Sequence, residues 1–308
     1  MSALHRWLAV AAAHCLGFAL AIAGARADEP IKLTHQGIER TAVLRQAAGA
    51  AIPAPLVIAL HGRGQTGQIL RGWLKLDMVA DREGLALLYP EAVDRAWSYG
   101  RPVDEPMPAV GGDPVDDTGF IARLADDLVA RGIADQRRIY VVGASRGGLM
   151  AFTLACALAD RIAAAAPLIG SMTEGQRADC RPARPVPLMM LASVNDPVTA
   201  YDGWLFPKGR QLSVPETMEF WRTLHGCARQ DWAPLPQRVA SDRTRVALVE
   251  WNGCSSGARL LLYRVSGGGH ELPTMVEAEG MPAPRWGLRN HDIETAEVVW
   301  AYFKGYAR

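Results

Sequence analysis

Ser145, Asp196 and His270 have the residue types and the chain order that acyl transfer through an activated serine requires. Ser145 lies in Gly143-Ala144-Ser145-Arg146-Gly147, a G-x-S-x-G pattern, directly after the β-branched and aromatic run Ile139-Tyr140-Val141-Val142. A serine hydroxyl is a weak nucleophile until a base takes its proton, and an acid must hold that base in the right tautomer. In G-x-S-x-G the turn from strand to helix is so tight that the residues two before and two after the serine must be small. The turn also places the serine at a helix N-terminus, where N–H groups and the dipole favour developing negative charge. A glycine-rich chain produces this pattern by chance. Its position between a strand run and a helical run is what singles it out.

The acid and the base are expected after the serine, each beyond the end of a strand. Asp196 stands in "LASVNDPVTAYDG", just past an apolar run, and His270 in "VSGGGHELP", after three glycines that let the backbone approach closely. Asp202 shares the first loop and is the rival acid; Asp196 is preferred because it is nearer the strand end. His225 and His291 are rival bases, but each belongs to a helix start or end. An oxyanion hole needs two N–H donors. The backbone of Arg146 supplies one, and "LHGRGQTG" after an early strand supplies the other, at Arg63. His61 in that loop reads as a structural pin. This chemistry calls for no metal or organic cofactor.

Past residue 28, the runs 55–62, 85–92, 137–145, 162–170 and 185–193 are short, apolar and closed by turn residues, as buried parallel strands are. Between them, "TGFIARLADDLVARG" puts Phe120, Leu124 and Leu128 on one face, and "SRGGLMAFTLACALAD" repeats the pattern in more apolar form. Alternating strands and helices predict an α/β fold with a doubly wound, mostly parallel sheet. Two more strands are expected at "RVALVEWNG" and "ARLLLYRVSG". A final helix is expected in "NHDIETAEVVWAYFKGYAR", with Asn290 as its cap and Ile293, Ala296, Trp300 and Phe303 along one stripe. The stretch from Asp94 to Asp116 is the longest irregular connection, of the kind that shapes a site. With no repeat or low-complexity linker, residues 28–308 read as one catalytic domain.

Residues 1–27 read as an export signal: Arg6, an apolar stretch, then Ala25-Arg26-Ala27 as a small-x-small cleavage pattern. Cleavage is favoured over an uncleaved membrane anchor, which points to the periplasm or the medium. Removing this segment takes Cys15 with it and leaves Cys156, Cys180, Cys227 and Cys254, an even number for an oxidising compartment, so two disulfides are expected. The 33 basic and 32 acidic residues give a formal charge of +1, and no run of like charges suits a nucleic-acid partner.

Together, "LVIALHGRGQTG", "LLYPEA", the long segment from "VDDTGF" through "VVGASRGG" to "PLIG", "NDPVTAYDG", "GGGHELP" and "HDIETAEVVWAYF" resemble the secreted polyhydroxybutyrate depolymerase and feruloyl esterase family of α/β-hydrolases. The resemblance spans nearly all of the chain beyond the signal. It implies a Ser145, Asp196, His270 triad, disulfides Cys156 to Cys180 and Cys227 to Cys254, and hydrolysis of carboxylic esters. The expected substrate is a hydroxybutyrate polymer or oligomer, with feruloyl or acetyl esters on plant polysaccharide as the alternative. A polymer-binding protein that has lost activity is the non-enzymatic alternative. The chain departs from the family at Arg146, where asparagine is usual, at Arg63, where a small residue or cysteine is usual, and at Leu272, where an aromatic is usual. Facing the pocket, those arginines favour a carboxylate-bearing ester; the alternative is that both side chains point to solvent or pair with nearby acids such as Asp116 or Asp117.

Overall fold

In the computed structural model, residues 28–100, 108–277 and 283–308 are described. The proposed signal, residues 1–27, lies outside the described residues, as does part of the long irregular connection. The chain opens with β1 (Glu29–His35) and β2 (Ile38–Gln46), an antiparallel hairpin closed by Gln36 and Gly37, both with positive φ. Then come β3 (Ala54–Leu60), α1 (Gly67–Leu74), α2 (Leu76–Glu83), β4 (Ala86–Pro90), α3 (Asp117–Ala130), β5 (Ala134–Ala144) and α4 (Arg146–Ala157). After β6 (Ala164–Leu168), α5 (Glu174–Asp179) and β7 (Leu188–Ser193), a short ribbon pairs Trp204–Phe206 with Gly209–Gln211. The chain ends with α6 (Val214–His225), β8 (Arg229–Pro234), β9 (Arg245–Asn252), β10 (Leu260–Ser266) and α7 (Thr295–Phe303).

Ten strands form one sheet in the order β1-β2-β4-β3-β5-β6-β7-β10-β9-β8. From β4 to β10 every neighbouring pair is parallel, and antiparallel pairs flank this block on both sides. Every residue of β3, β4, β6 and β7 is buried, which explains why these strands are continuous apolar runs in the sequence. Alternate side chains feed two cores. Leu56, Ile58, Val141 and Met190 pack with Phe120, Leu124, Phe152 and Trp221 of α3, α4 and α6. Val57, Tyr140, Val142 and Met189 pack with Leu70, Val79 and Trp300 of α1, α2 and α7.

Local chemistry sets the helix starts. The Asp116 carboxylate accepts from Gly119 N at 2.7 Å to cap α3, and Ser213 with Glu216 forms a reciprocal capping box on α6. Asn290 does not cap α7, contrary to the sequence expectation. The helix starts later, after Glu294, because Asn290 is buried and its side chain is used elsewhere, donating to Thr244 Oγ1 and Asp292 Oδ2 and accepting from Asp292 N. Ile293, Ala296, Trp300 and Phe303 are all buried in the second core.

A buried ion pair ties down the long connection before α3. Arg40 Nη2 donates to Asp117 Oδ1 at 2.6 Å, and Asp117 Oδ2 accepts from Ser98 N at 2.6 Å. Trp97 and Tyr99, on either side of Ser98, are each 1% exposed. Disulfides join Cys156 to Cys180, between α4 and the end of α5, and Cys227 to Cys254. Among the described residues, no helix is long and apolar enough to cross a membrane, and no cluster of three or more His, Cys, Asp or Glu could hold a metal.

Candidate active site

Ser145 stands between the end of β5 and the start of α4, with φ 56° and ψ −118°, a backbone state that side chains rarely adopt. The neighbouring glycines permit it. A Cβ on Gly143 would lie 2.0 Å from the carbonyl oxygen of Gly147, and one on Gly147 would lie 2.0 Å from that of Leu60. The elbow is therefore wedged against the end of β3, the strand that leads into the loop carrying Arg63.

His270 reaches Ser145 from beyond β10, with Nε2 2.9 Å from the serine Oγ. Its Nδ1 lies 2.7 Å from Asp196 Oδ2, beyond β7. β7 and β10 are parallel neighbours in the sheet, so their C-terminal ends bring the two residues together across 74 positions of sequence. The other Asp196 oxygen accepts from the backbone N–H of Val198 and Thr199 at 2.8 and 2.7 Å. Those bonds aim the carboxylate at the imidazole. The Asp196 side chain is 2% exposed and that of His270 10%, so the relay is shielded from water.

The rivals lie elsewhere. Asp202 is exposed at the turn before the ribbon. His225 is buried at the end of α6 between Val186 O and Ser256 Oγ, and His291 lies beside Asp242.

The loop after β3 is held by His61. Its Nδ1 donates to Gly62 O at 2.8 Å, its Nε2 accepts from Ala92 N at 3.1 Å, and burial pushes its pKa down, so the ring stays neutral. The Trp97 indole donates to His61 O at 2.8 Å, with the two rings 5.0 Å apart. This arrangement positions the Gly62-Arg63 backbone beside Ser145. Arg63 and Arg146 both line the cleft there. Among the described residues, Asp117 is engaged by Arg40 and Asp116 by His35 and the α3 cap. The Arg146 guanidinium instead donates to Tyr99 Oη and sits 5.2 Å from the centre of that ring.

The cleft over Ser145 and His270 has a volume of about 750 Å³, with Trp73, Ile169, Val198, Leu272 and Trp286 among its walls. Ile169, at the end of β6, also has positive φ, 42°, a strained state for a β-branched residue. Trp286 is bound to the histidine loop: His270 N donates to its carbonyl at 2.9 Å, and Glu271 accepts from the Arg285 and Trp286 N–H groups and pairs with Arg289. The aromatic walls were not singled out from the sequence. Tyr99 and Trp286 lie in irregular segments without hydrophobic periodicity, and Trp73 lies in α1 beside Leu70 and Leu74, where it reads as one more apolar residue of an amphipathic helix.

The sequence profile of the family described as Esterase PHB depolymerase matches residues 41–205. NocK of Nocardia uniformis subsp. tsuyamanensis, provisionally named an esterase, is 28% identical over 250 residues, covering 76% of this chain and 71% of its own length. Feruloyl esterase B of Piromyces equi is 29% identical over 164 residues, covering 50% of this chain and 29% of its own, so the chain spans under a third of that relative. Among solved structures, a thermostable esterase superposes with a TM-score of 0.60 at 17% identity, covering 91% of this chain and 63% of that one, a likeness of α/β-hydrolase fold.

Proposed function

The chain belongs to the PHB depolymerase esterase family, whose members hydrolyse carboxylic esters, and from that premise we propose that it is an exported serine esterase acting on hydroxybutyrate oligomers or polymer. The observation that carries the serine mechanism is the continuous relay Ser145, His270, Asp196, with contacts of 2.9 and 2.7 Å. Ser145 Oγ attacks the ester carbonyl while His270 Nε2 takes its proton; His270 then returns that proton to the leaving alcohol oxygen, and Asp196 stabilises the imidazolium between the two steps. The backbone N–H groups of Arg146 and Arg63 bind the oxyanion. Water, activated by the same histidine, then releases the acid. The two disulfides support export.

Feruloyl or acetyl esters of polysaccharide form the second reading, favoured by the match to a feruloyl esterase over half of this chain. Labelling with a fluorophosphonate, which needs an activated serine, tests the mechanism: the wild type is labelled and Ser145→Ala is not. Labelling that survives the substitution places the nucleophile elsewhere. Rates on hydroxybutyrate oligomers, acetylated sugars and feruloyl esters then rank the substrates.

A further inference from the structure

Two cavities of very different size meet at Ser145. The cleft of about 750 Å³ is bounded by Ser145 and also by His270. The second, of about 80 Å³, is bounded by Ser145, Tyr99, Leu149, Thr173, Phe206 and Gln211, and His270 is not part of its wall. An ester bound for attack has its carbonyl carbon at Ser145 Oγ, so its acyl and alcohol portions must leave that point in different directions. The direction of each is fixed by proton transfer. His270 Nε2 must come within hydrogen-bond reach of the alcohol oxygen to protonate it as the C–O bond breaks. The alcohol therefore lies on the His270 side, and the acyl chain on the other.

We infer that the small cavity is the acyl site and the large cleft the alcohol site, so that this esterase takes short acyl groups carried on large alcohols. The inference rests on the serine mechanism proposed above and narrows its substrate. The small cavity offers about 80 Å³ against about 750 Å³ in the cleft, room for a few water-sized groups beyond the carbonyl. That is the scale of an acetyl or a short hydroxyacyl chain, and Thr173, Thr199 and Gln211 give the wall polar atoms for a hydroxyl. A feruloyl group, an aromatic ring on a propenoyl arm, is too large for it. The large cleft lies within the range of drug-sized ligand sites and holds Trp73 and Trp286, so it suits the following residues of an oligoester or an acylated sugar.

The small cavity is rigidly built. Tyr99 is anchored through Ser98 and Asp117, and Thr173 and Gln176 form the capping box of α5, with the Gln176 amide donating to Leu149 O at 2.7 Å. Phe206, on the ribbon, is its most replaceable wall.

The test varies the two halves of the ester independently on the full chain. Nitrophenyl esters of two to ten carbons should show kcat/KM falling at least tenfold beyond four carbons. Naphthylmethyl acetate should exceed methyl acetate, two esters whose alcohols differ in size but little in acidity, and methyl ferulate should be the poorest substrate. Phe206→Ala should move the acyl cutoff to longer chains, with kcat/KM for the six- and eight-carbon esters rising about tenfold relative to acetate. Trp286→Ala should lower the naphthylmethyl to methyl acetate ratio and leave the acyl cutoff in place. A wild type that prefers long or aromatic acyl groups overturns the assignment, as does a Phe206→Ala variant that changes alcohol preference instead. Failure to hydrolyse any ester, together with no fluorophosphonate labelling of Ser145, defeats the serine mechanism itself and is distinct from both.

Discussion

The α-carbon of Gly147 faces the carbonyl oxygen of Leu60 so closely that an added Cβ would lie 2.0 Å away, with His61 O at 2.8 Å. The turn at Ser145 and the strand leading into the Gly62-Arg63 loop are thus in backbone contact. Gly147→Ala forces them apart, and displacement of about 1 Å can cost 10²-fold in rate. The expected outcome is a kcat on nitrophenyl acetate reduced at least 100-fold, with a clear fall in Tm.

Asp196 and Asp202 share one loop, but only Asp196 touches His270. Asp196→Asn would leave the imidazole in the wrong tautomer and should lower kcat by about 10⁴, the size of the effect known for a serine protease triad. Asp202→Asn should change it less than threefold. Steady-state kinetics on a soluble ester measures both, and reversed effects would exchange the roles of the two acids.

His225 makes stability pH-dependent. Burial lowers its pKa to about 4, against an ordinary value of 6.5, because the charged ring would be desolvated; the hydrogen bond to Val186 O works the other way and only partly offsets this. Its contribution is complete above pH 6.5 and is lost as pH falls toward 4, since the unfolded chain takes up the proton first. The loss should reach about 2 kcal/mol by pH 4.5. Urea unfolding at pH 7 and pH 4.5 should show this difference, and His225→Gln should shrink it while lowering stability at pH 7.

Arg40→Met leaves the Asp117 carboxylate buried without its cation, an arrangement that costs about 3–5 kcal/mol. Because Asp117 also holds Ser98 N, activity should fall with stability as Trp97 and Tyr99 lose their anchor. Adding Asp117→Leu should recover part of the stability but not the activity, since Ser98 N then loses its acceptor. Chemical denaturation and kcat/KM on the same preparations separate these effects.

What could be read from the sequence followed burial. β3, β4, β6 and β7 are covered on both faces and therefore wrote themselves as apolar runs, and Ser145, Asp196 and His270 were legible because each stands beyond the end of a largely apolar strand, β5, β7 and β10 respectively. The β1–β2 hairpin was not legible, because one side of β1 is open to solvent and its residues alternate with Lys32, Thr34 and other polar groups. β8 is exposed along its length and carries no apolar signal at all. Asn290 was misread because a capping residue type gives no sign that its side chain is committed to Thr244 and Asp292. The walls of the two cavities come from segments far apart in sequence, and only the folded chain brings Tyr99, Phe206 and Gln211 to one place.

The backbone at Ser145 also bears on how far this enzyme can be made robust. A serine at φ 56° and ψ −118° holds strain of about 1–3 kcal/mol, which glycine would relieve at the same position. Ser145→Gly should therefore melt at a higher temperature than Ser145→Ala, and above the wild type if relief outweighs the lost hydroxyl contact with His270. Selection for thermal endurance alone would then drift toward an inert protein, and any laboratory evolution of this scaffold must screen for turnover at every round to keep its nucleophile.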